Sequence, residues 1–240
     1  MLIQVDAAQL EWRVCLELCR DETGIREVLE KQDTHSLNQQ AFNLPSRLIS
    51  KIYLFRTIFN HGKGYSFTVD PNFMHVSTSM KYWDDVGEKF YTRYAGLEAL
   101  YQTNMALVAS GKPLIGPLGR FWPLKMERDW KGELKLPETK VVNYPVQGTG
   151  ADVMSIARVS FWNRLRARGW TEVKLVSSVH DSIVVDAPAH YLEPIAQLFH
   201  DVFRDLVPNI RKLFNYEWIV PLECEVKAGN NLKDMTKVTF

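Results

Sequence analysis

The stretch Val173-Lys-Leu-Val-Ser-Ser-Val-His-Asp-Ser-Ile-Val-Val185 decides the fold. Two runs rich in β-branched residues flank His180 and Asp181, so the segment reads as a β-hairpin with His-Asp at its tip. An aspartate in so apolar a segment is costly unless it is paired or bound to a cation. Turns also favour aspartate for its local hydrogen bonds, so a plain turn residue is the alternative. Outward from the hairpin, Met1-Leu-Ile-Gln-Val-Asp6 reads as a short buried strand that also ends in an acid, and Leu222 to Lys227 reads as a last strand. Helical spacing covers Gln9 to Arg20, Gly24 to Lys31 with Thr23 as its cap, a segment opened by Pro45, and a Tyr- and Trp-rich region from about Lys81 to Ser110. Gly111, Gly116, Pro117 and Gly119 mark turns and a short hairpin, and Lys125 to Lys140 is a polar connection. Gly148-Thr-Gly150 opens a long helix, Ala151 to Arg168, and a further helix spans His190 to Leu206. Strand, many helices, hairpin, helix, strand is an α+β order: an antiparallel sheet with a helical insertion.

Within that insertion, Arg47, Lys51, Phe55 and Phe59 stand four residues apart. Side chains at i and i+4 share a helix face, so the four form one stripe at steps of about 6 Å. Charge lies at its N-terminal end and flat rings lie further along. A nucleoside triphosphate has the same order, phosphates and then sugar and base. Arg grips phosphate with two bonds, Lys acts as a point charge, and rings pack on sugar or base. An amphipathic helix with two core aromatics and two solvated cations explains the same pattern, and the stripe alone does not decide between them.

The chain has 240 residues, 46% of them hydrophobic, with seven Trp, twelve Phe and nine Tyr, which is enough for a sizeable core. Its formal charge of +1 is low for a stand-alone nucleic-acid binder. Three cysteines, Cys15, Cys19 and Cys224, make no disulfide framework, and Cys15 and Cys19 read as small buried hydrophobes. With no apolar run of membrane-spanning length and no signal peptide, a cytoplasmic protein without a membrane partner is expected.

Three blocks, in order along nearly the whole chain, resemble the polymerase module of family A DNA polymerases, the bacterial DNA polymerase I type. They are Asp6-Ala-Ala-Gln-Leu-Glu-Trp-Arg13, the Arg47-Lys51-Phe55-Phe59 stripe, and Val179-His-Asp181. Asn143-Tyr-Pro-Val-Gln-Gly-Thr-Gly150 adds a fourth and Pro221-Leu-Glu-Cys-Glu-Val226 a weaker fifth. Each alone is weak; the ordered set is specific. The resemblance implies an antiparallel palm sheet with a mostly helical fingers insertion, the thumb being absent from this chain. Palm would occupy residues 1–19 and 141–240 and fingers 20–140, with the nucleotide-binding helix at about 45–60.

It further implies template-directed DNA synthesis from dNTPs onto a primer 3′-hydroxyl, assisted by two Mg²⁺ ions. Asp6 and Asp181 would be the catalytic carboxylates and metal ligands, joined by the backbone carbonyl of Ala7. Arg47, Lys51 and His35 would hold the triphosphate, Phe55 would pack on the incoming nucleoside, and Glu11 would exclude a 2′-hydroxyl. Asn143, Gln147 and His180 would touch primer and template, where amide donors meet minor-groove acceptors common to all pairs.

The chain also departs from the family pattern. Phe59 stands where Tyr is usual, Ser182 replaces a third acid, and Asn60-His61 stands where Gly is usual. Only five residues precede Asp6, so Leu2 to Val5 is expected to lack strand neighbours and leave a sheet edge exposed. A split polymerase of the kind a phage encodes would account for this. A second polypeptide would then carry the thumb, and the 3′–5′ exonuclease where the split includes one. An expression fragment is the rival account. Rival functions are a single-subunit RNA polymerase, which Glu11 argues against, and a catalytically weak accessory subunit.

Overall fold

The computed structural model describes residues 1–239. In chain order it contains β1 (Leu2–Ala7), α1 (Leu10–Cys19), α2 (Glu22–Leu29), α3 (Thr34–Ala41), α4 (Arg47–Asn60), α5 (Gly64–Thr68), α6 (Met80–Arg93) and α7 (Ala95–Ala109). Two short hairpins follow, β2 (Leu114–Ile115) with β3 (Phe121–Trp122) and β4 (Glu127–Arg128) with β5 (Leu134–Lys135). Then come α8 (Glu138–Ala167), β6 (Lys174–Val179), β7 (Ser182–Asp186), α9 (Leu192–Arg204), α10 (Leu206–Phe214), β8 (Cys224–Gly229) and β9 (Thr236–Lys237). The chain divides into two compact units, residues 1–13 with 148–240, and residues 14–147. Both divisions fall inside helices, α1 and α8.

The first unit is built on an antiparallel sheet of order β6-β7-β1-β8-β9. Period-2 alternation sets its two faces: Ile3, Val5 and Ala7 of β1 are buried, while Gln4 and Asp6 point the other way. On the buried side α9 packs against β1 and β8 through Ile195, Leu198, Phe199 and Val202. Phe161 of α8 stacks on Phe199 with ring centroids 4.2 Å apart. Each such fully buried aliphatic or aromatic side chain contributes about 1.5–3 kcal/mol. The expected exposed edge at β1 is corrected: β7 pairs along one side and β8 along the other, so β1 is the central strand.

The second unit is helical. Tyr53 of α4 sits at the centre of an aromatic core, stacked on Phe67 at 4.9 Å and on Trp83 at 6.1 Å. Several local expectations are corrected here. Asp21, not Thr23, caps α2, accepting from the Gly24 amide at 2.9 Å. Pro45 lies outside α4, whose cap is Ser46, accepting from the Ile49 amide at 3.2 Å. The polar connection contains the β4–β5 hairpin. The helix expected from Ala151 begins at Glu138 and runs through Pro145, Gly148 and Gly150. Burial of Val141, Val142 and Val146 outweighs the one backbone bond that proline removes. Beyond the helix expected to end at Leu206, a further helix, α10, spans Leu206–Phe214. Among the described residues, no helix is long and apolar enough to cross a membrane.

Candidate active site

In the sheet unit the two acids end neighbouring strands. Asp6 lies opposite Ser182, and the Ala7 amide donates to the Asp181 carbonyl at 2.9 Å. Sequence distance is thus removed by strand pairing. His180 and Asp181 form the two-residue loop between β6 and β7, and His180 takes φ 52°. The first residue of such a loop needs positive φ to match strand twist, a cost to any residue except glycine. Ser182 Oγ donates to the Val179 carbonyl at 2.9 Å, so this hydroxyl closes the hairpin.

Both oxygens of the Asp6 carboxylate have partners. Gln4 Nε2 donates to Oδ1 at 2.5 Å and Lys227 Nζ to Oδ2 at 2.8 Å. Gln4 stands two residues before Asp6 on the same face, and Lys227 is its cross-strand partner on β8. The bond to Asp6 raises the Lys227 pKa, with help from Glu225 and Asp181, so this amine stays charged and feels both Asp6 and Asp181. Glu225, across from Asp6, is paired with Lys237 at 2.8 Å. Glu11 sits in the first turn of α1, half-buried. Two residues on, buried Arg13 donates to the Pro221 carbonyl at 2.6 Å and to Glu223 at 2.7 Å, locking two of the sequence blocks together.

In the helical unit α4 buries Ile49, Ser50, Tyr53, Leu54, Thr57 and Ile58 and turns the stripe away from that core. Arg47 and Lys51 are exposed; Phe55 and Phe59 are half-buried and stack on each other at 5.5 Å. The core aromatic of this helix is Tyr53, so the alternative of Phe55 and Phe59 as core residues does not hold. Lys51 Nζ lies 5.9 Å from the Phe55 ring, and His35 lies 6.2 Å from it. Arg47 clamps Asp33 with two bonds, at 2.6 and 2.9 Å. That guanidinium holds the Asp33 carboxyl well below the usual carboxylate range. Burial lowers the His35 pKa, with Arg47 and Lys51 adding to it, so the imidazole is neutral at pH 7, and its buried Nδ1 has no partner. At the end of α4, His61 takes φ 48°, the left-handed cap position where glycine is favoured, and its ring meets Glu138 at 3.2 Å. Asn143 and Gln147 share a face of α8 one turn apart; Gln147 is exposed, and Asn143 Oδ1 is buried without a partner.

Asp6, Ala7, Asp181 and His180 are therefore brought together in one unit. In the other, His35, Arg47, Lys51, Phe55 and Phe59 are brought together around α4. The sequence reading missed Gln4, Lys227 and Asp33. Gln4 carried a signal, the strand period from Asp6; Lys227 becomes visible only once strand register is known. Among the described residues, no group of three or more His, Cys, Asp or Glu is arranged to hold a metal by itself.

The fold is of the α+β class, an antiparallel sheet with a helical insertion. It matches the POL domain of Pol1 from M. smegmatis, solved in complex with DNA primer-template and dNTP. The TM-score is 0.79 at 19% identity, over 96% of this chain and 39% of that one. The sequence model of DNA polymerase family A matches residues 1–234, and the chain belongs to that family. It is 26% identical over 236 residues to the thermostable DNA polymerase I of Thermus aquaticus, covering 96% of this chain and 27% of the relative. A 103-residue stretch is 35% identical to DNA polymerase I of Chloroflexus aurantiacus, covering 43% of this chain and 10% of the relative. The chain thus spans about a quarter of the first relative's length.

Proposed function

We propose that this chain carries out template-directed DNA synthesis, joining a deoxynucleoside triphosphate to a primer 3′-hydroxyl. The observation that carries this is the meeting of Asp6 and Asp181 at the ends of paired strands. Hard carboxylate and carbonyl oxygens suit Mg²⁺, which keeps one or two carboxylates and completes its shell with water and phosphate. An ammonium already lies on Asp6 Oδ2, so a cation is accommodated there. Asp6, Asp181 and the Ala7 carbonyl would hold the ions, two in number. When bound, they supply charge neutralisation at the attacking and leaving oxygens.

Arg47 and Lys51 bind the triphosphate, and neutral His35 donates a hydrogen bond to it. Phe55 offers its half-buried face to the incoming nucleoside, braced by Phe59. Glu11 excludes a 2′-hydroxyl, and Asn143, Gln147 and His180 meet primer and template. DNA and dNTPs as ligands are supported by the neighbour solved with both.

With a formal charge of +1, the chain has little surplus positive surface of its own for duplex phosphates. A second polypeptide with a thumb, and the exonuclease where one accompanies it, would supply that surface in the cytoplasm, as in a split phage enzyme.

The test is primed-template extension with ribo- and deoxynucleotides in parallel, by the chain with and without its partner, and by Glu11→Ala. Deoxynucleotide preference that relaxes in Glu11→Ala is expected; ribonucleotide preference by the parent would overturn the DNA assignment. Co-elution with the thumb-bearing chain on size exclusion is expected as well, and full activity of a lone monomer would overturn the split.

A further inference from the structure

We propose that Lys227 is a resident counter-cation of the metal site, and that a divalent ion must displace it from Asp6 to bind. This rests on the reading of Asp6 as a metal ligand. Lys227 Nζ lies 2.8 Å from Asp6 Oδ2, while Gln4 holds Oδ1 at 2.5 Å, so both carboxylate oxygens are engaged. A divalent cation on that carboxylate and an ammonium at hydrogen-bond distance from it repel each other. The two cannot share Oδ2 at full strength.

The geometry lets Lys227 leave. Its side chain is 40% exposed, against 21% for Asp6, and its four-carbon stem can swing into solvent. The neighbouring Glu225 already holds Lys237 at 2.8 Å, so Lys227 has no vacant carboxylate waiting on its own strand. Displacement therefore loses an ion pair without replacing it. Ser182, opposite Asp6, carries no charge and commits its hydroxyl to Val179, so it offers Lys227 no second partner. In consequence Lys227 raises the metal concentration that the site requires and holds Asp6 in its binding orientation until metal arrives.

The test is Mn²⁺ binding to the full chain without nucleotide or DNA, followed by the electron paramagnetic resonance signal of free Mn²⁺. Lys227→Met, which keeps the stem and removes the charge, should bind roughly three- to ten-fold tighter than the parent. Lys227→Arg, which keeps the charge, should stay close to the parent and controls for disturbance of β8. Asp6→Asn should weaken binding in both backgrounds. Equal or weaker binding by Lys227→Met, with Asp6→Asn still weakening it, overturns the counter-cation alone. Binding unaffected by Asp6→Asn overturns the Asp6 reading, and this inference with it.

Discussion

The two units hold their working charges in the same way and on different scaffolds. In the sheet unit an acid, Asp6, is held by a cation, Lys227; in the helical unit a cation, Arg47, is held by an acid, Asp33. Under the proposed function, each group is neutralised by a neighbour that its ligand would replace, metal for Asp6 and triphosphate for Arg47. The difference is rigidity. Asp6 sits on a central strand paired on both sides, with Gln4 fixing its second oxygen. The Arg47–Asp33 pair joins a helix start to a neighbouring cap, and its side chains are 54% and 39% exposed. Chemistry demands the rigid scaffold and substrate capture tolerates the looser one, because a misplacement of about 1 Å at reacting atoms costs on the order of a hundred-fold in rate.

The largest effects should come from the rigid side. Asp6→Ala and Asp181→Ala should each lower single-turnover extension by about a thousand-fold or more, since each removes a charge on which metal binding would depend. Circular dichroism should remain that of the parent, because both side chains lie outside the apolar core. Activity within ten-fold of the parent in either variant would remove the carboxylates from the mechanism. Next, Arg47→Ala should weaken dNTP binding by about a hundred-fold through loss of a charge-assisted bidentate contact, while maximal rate falls less. A larger effect of Arg47→Ala on rate than on binding would break the division between rigid chemistry and looser capture.

How far the sequence revealed each side follows the same contrast. The α+β class, the β6–β7 hairpin and the two acids were legible because alternating β-branched runs, an apolar opening strand and isolated acids are local signals. The stripe on α4 was legible because i, i+4 spacing is fixed by helix geometry, and Tyr53 showed its facing only once the core was seen. Helix starts misled: Thr23 and Pro45 both suit a first turn, yet Asp21 and Ser46 supply the caps. The start of α8 was hidden because Pro145 and two glycines look like breakers, and burial of three valines overrides them. Lys227 and Asp33 were hidden for another reason. Their roles depend on strand register and on the meeting of a loop with a helix start, which no short window of sequence contains.

Releasing the looser pair should have a moderate effect. Asp33→Asn frees the Arg47 guanidinium and should tighten dNTP binding by a few-fold, at a stability cost below about 1 kcal/mol because the pair is exposed. Folding lowers the Asp33 pKa, so its stabilisation is present above the unfolded value of about 3.9 and fades as pH falls toward the lower folded value. Thermal midpoints of parent and Asp33→Asn should therefore differ at pH 6 and converge as pH drops below about 4. A difference that grew on acidification would show that Asp33 is not held by Arg47 in solution.

The smallest effect concerns the thiols, which report on each unit separately. Cys224 lies in the sheet unit, where burial pushes its pKa up to about 12. At pH 8 only about one molecule in ten thousand then carries the thiolate, the reactive form. Cys15 lies fully buried in the helical unit, its pKa raised by its hydrogen bond with Cys19 and by burial. Buried Cys15 should react with a disulfide reagent only as its unit opens, and half-buried Cys224 is slowed by its scarce thiolate, whereas half-buried Cys19 should react first. If the sheet unit is the stiffer scaffold, low denaturant should speed labelling of Cys15 before that of Cys224. The reverse order would place the looser structure under the carboxylates. The contrast between the two ion pairs would then have to come from exposure alone rather than from the elements that carry them.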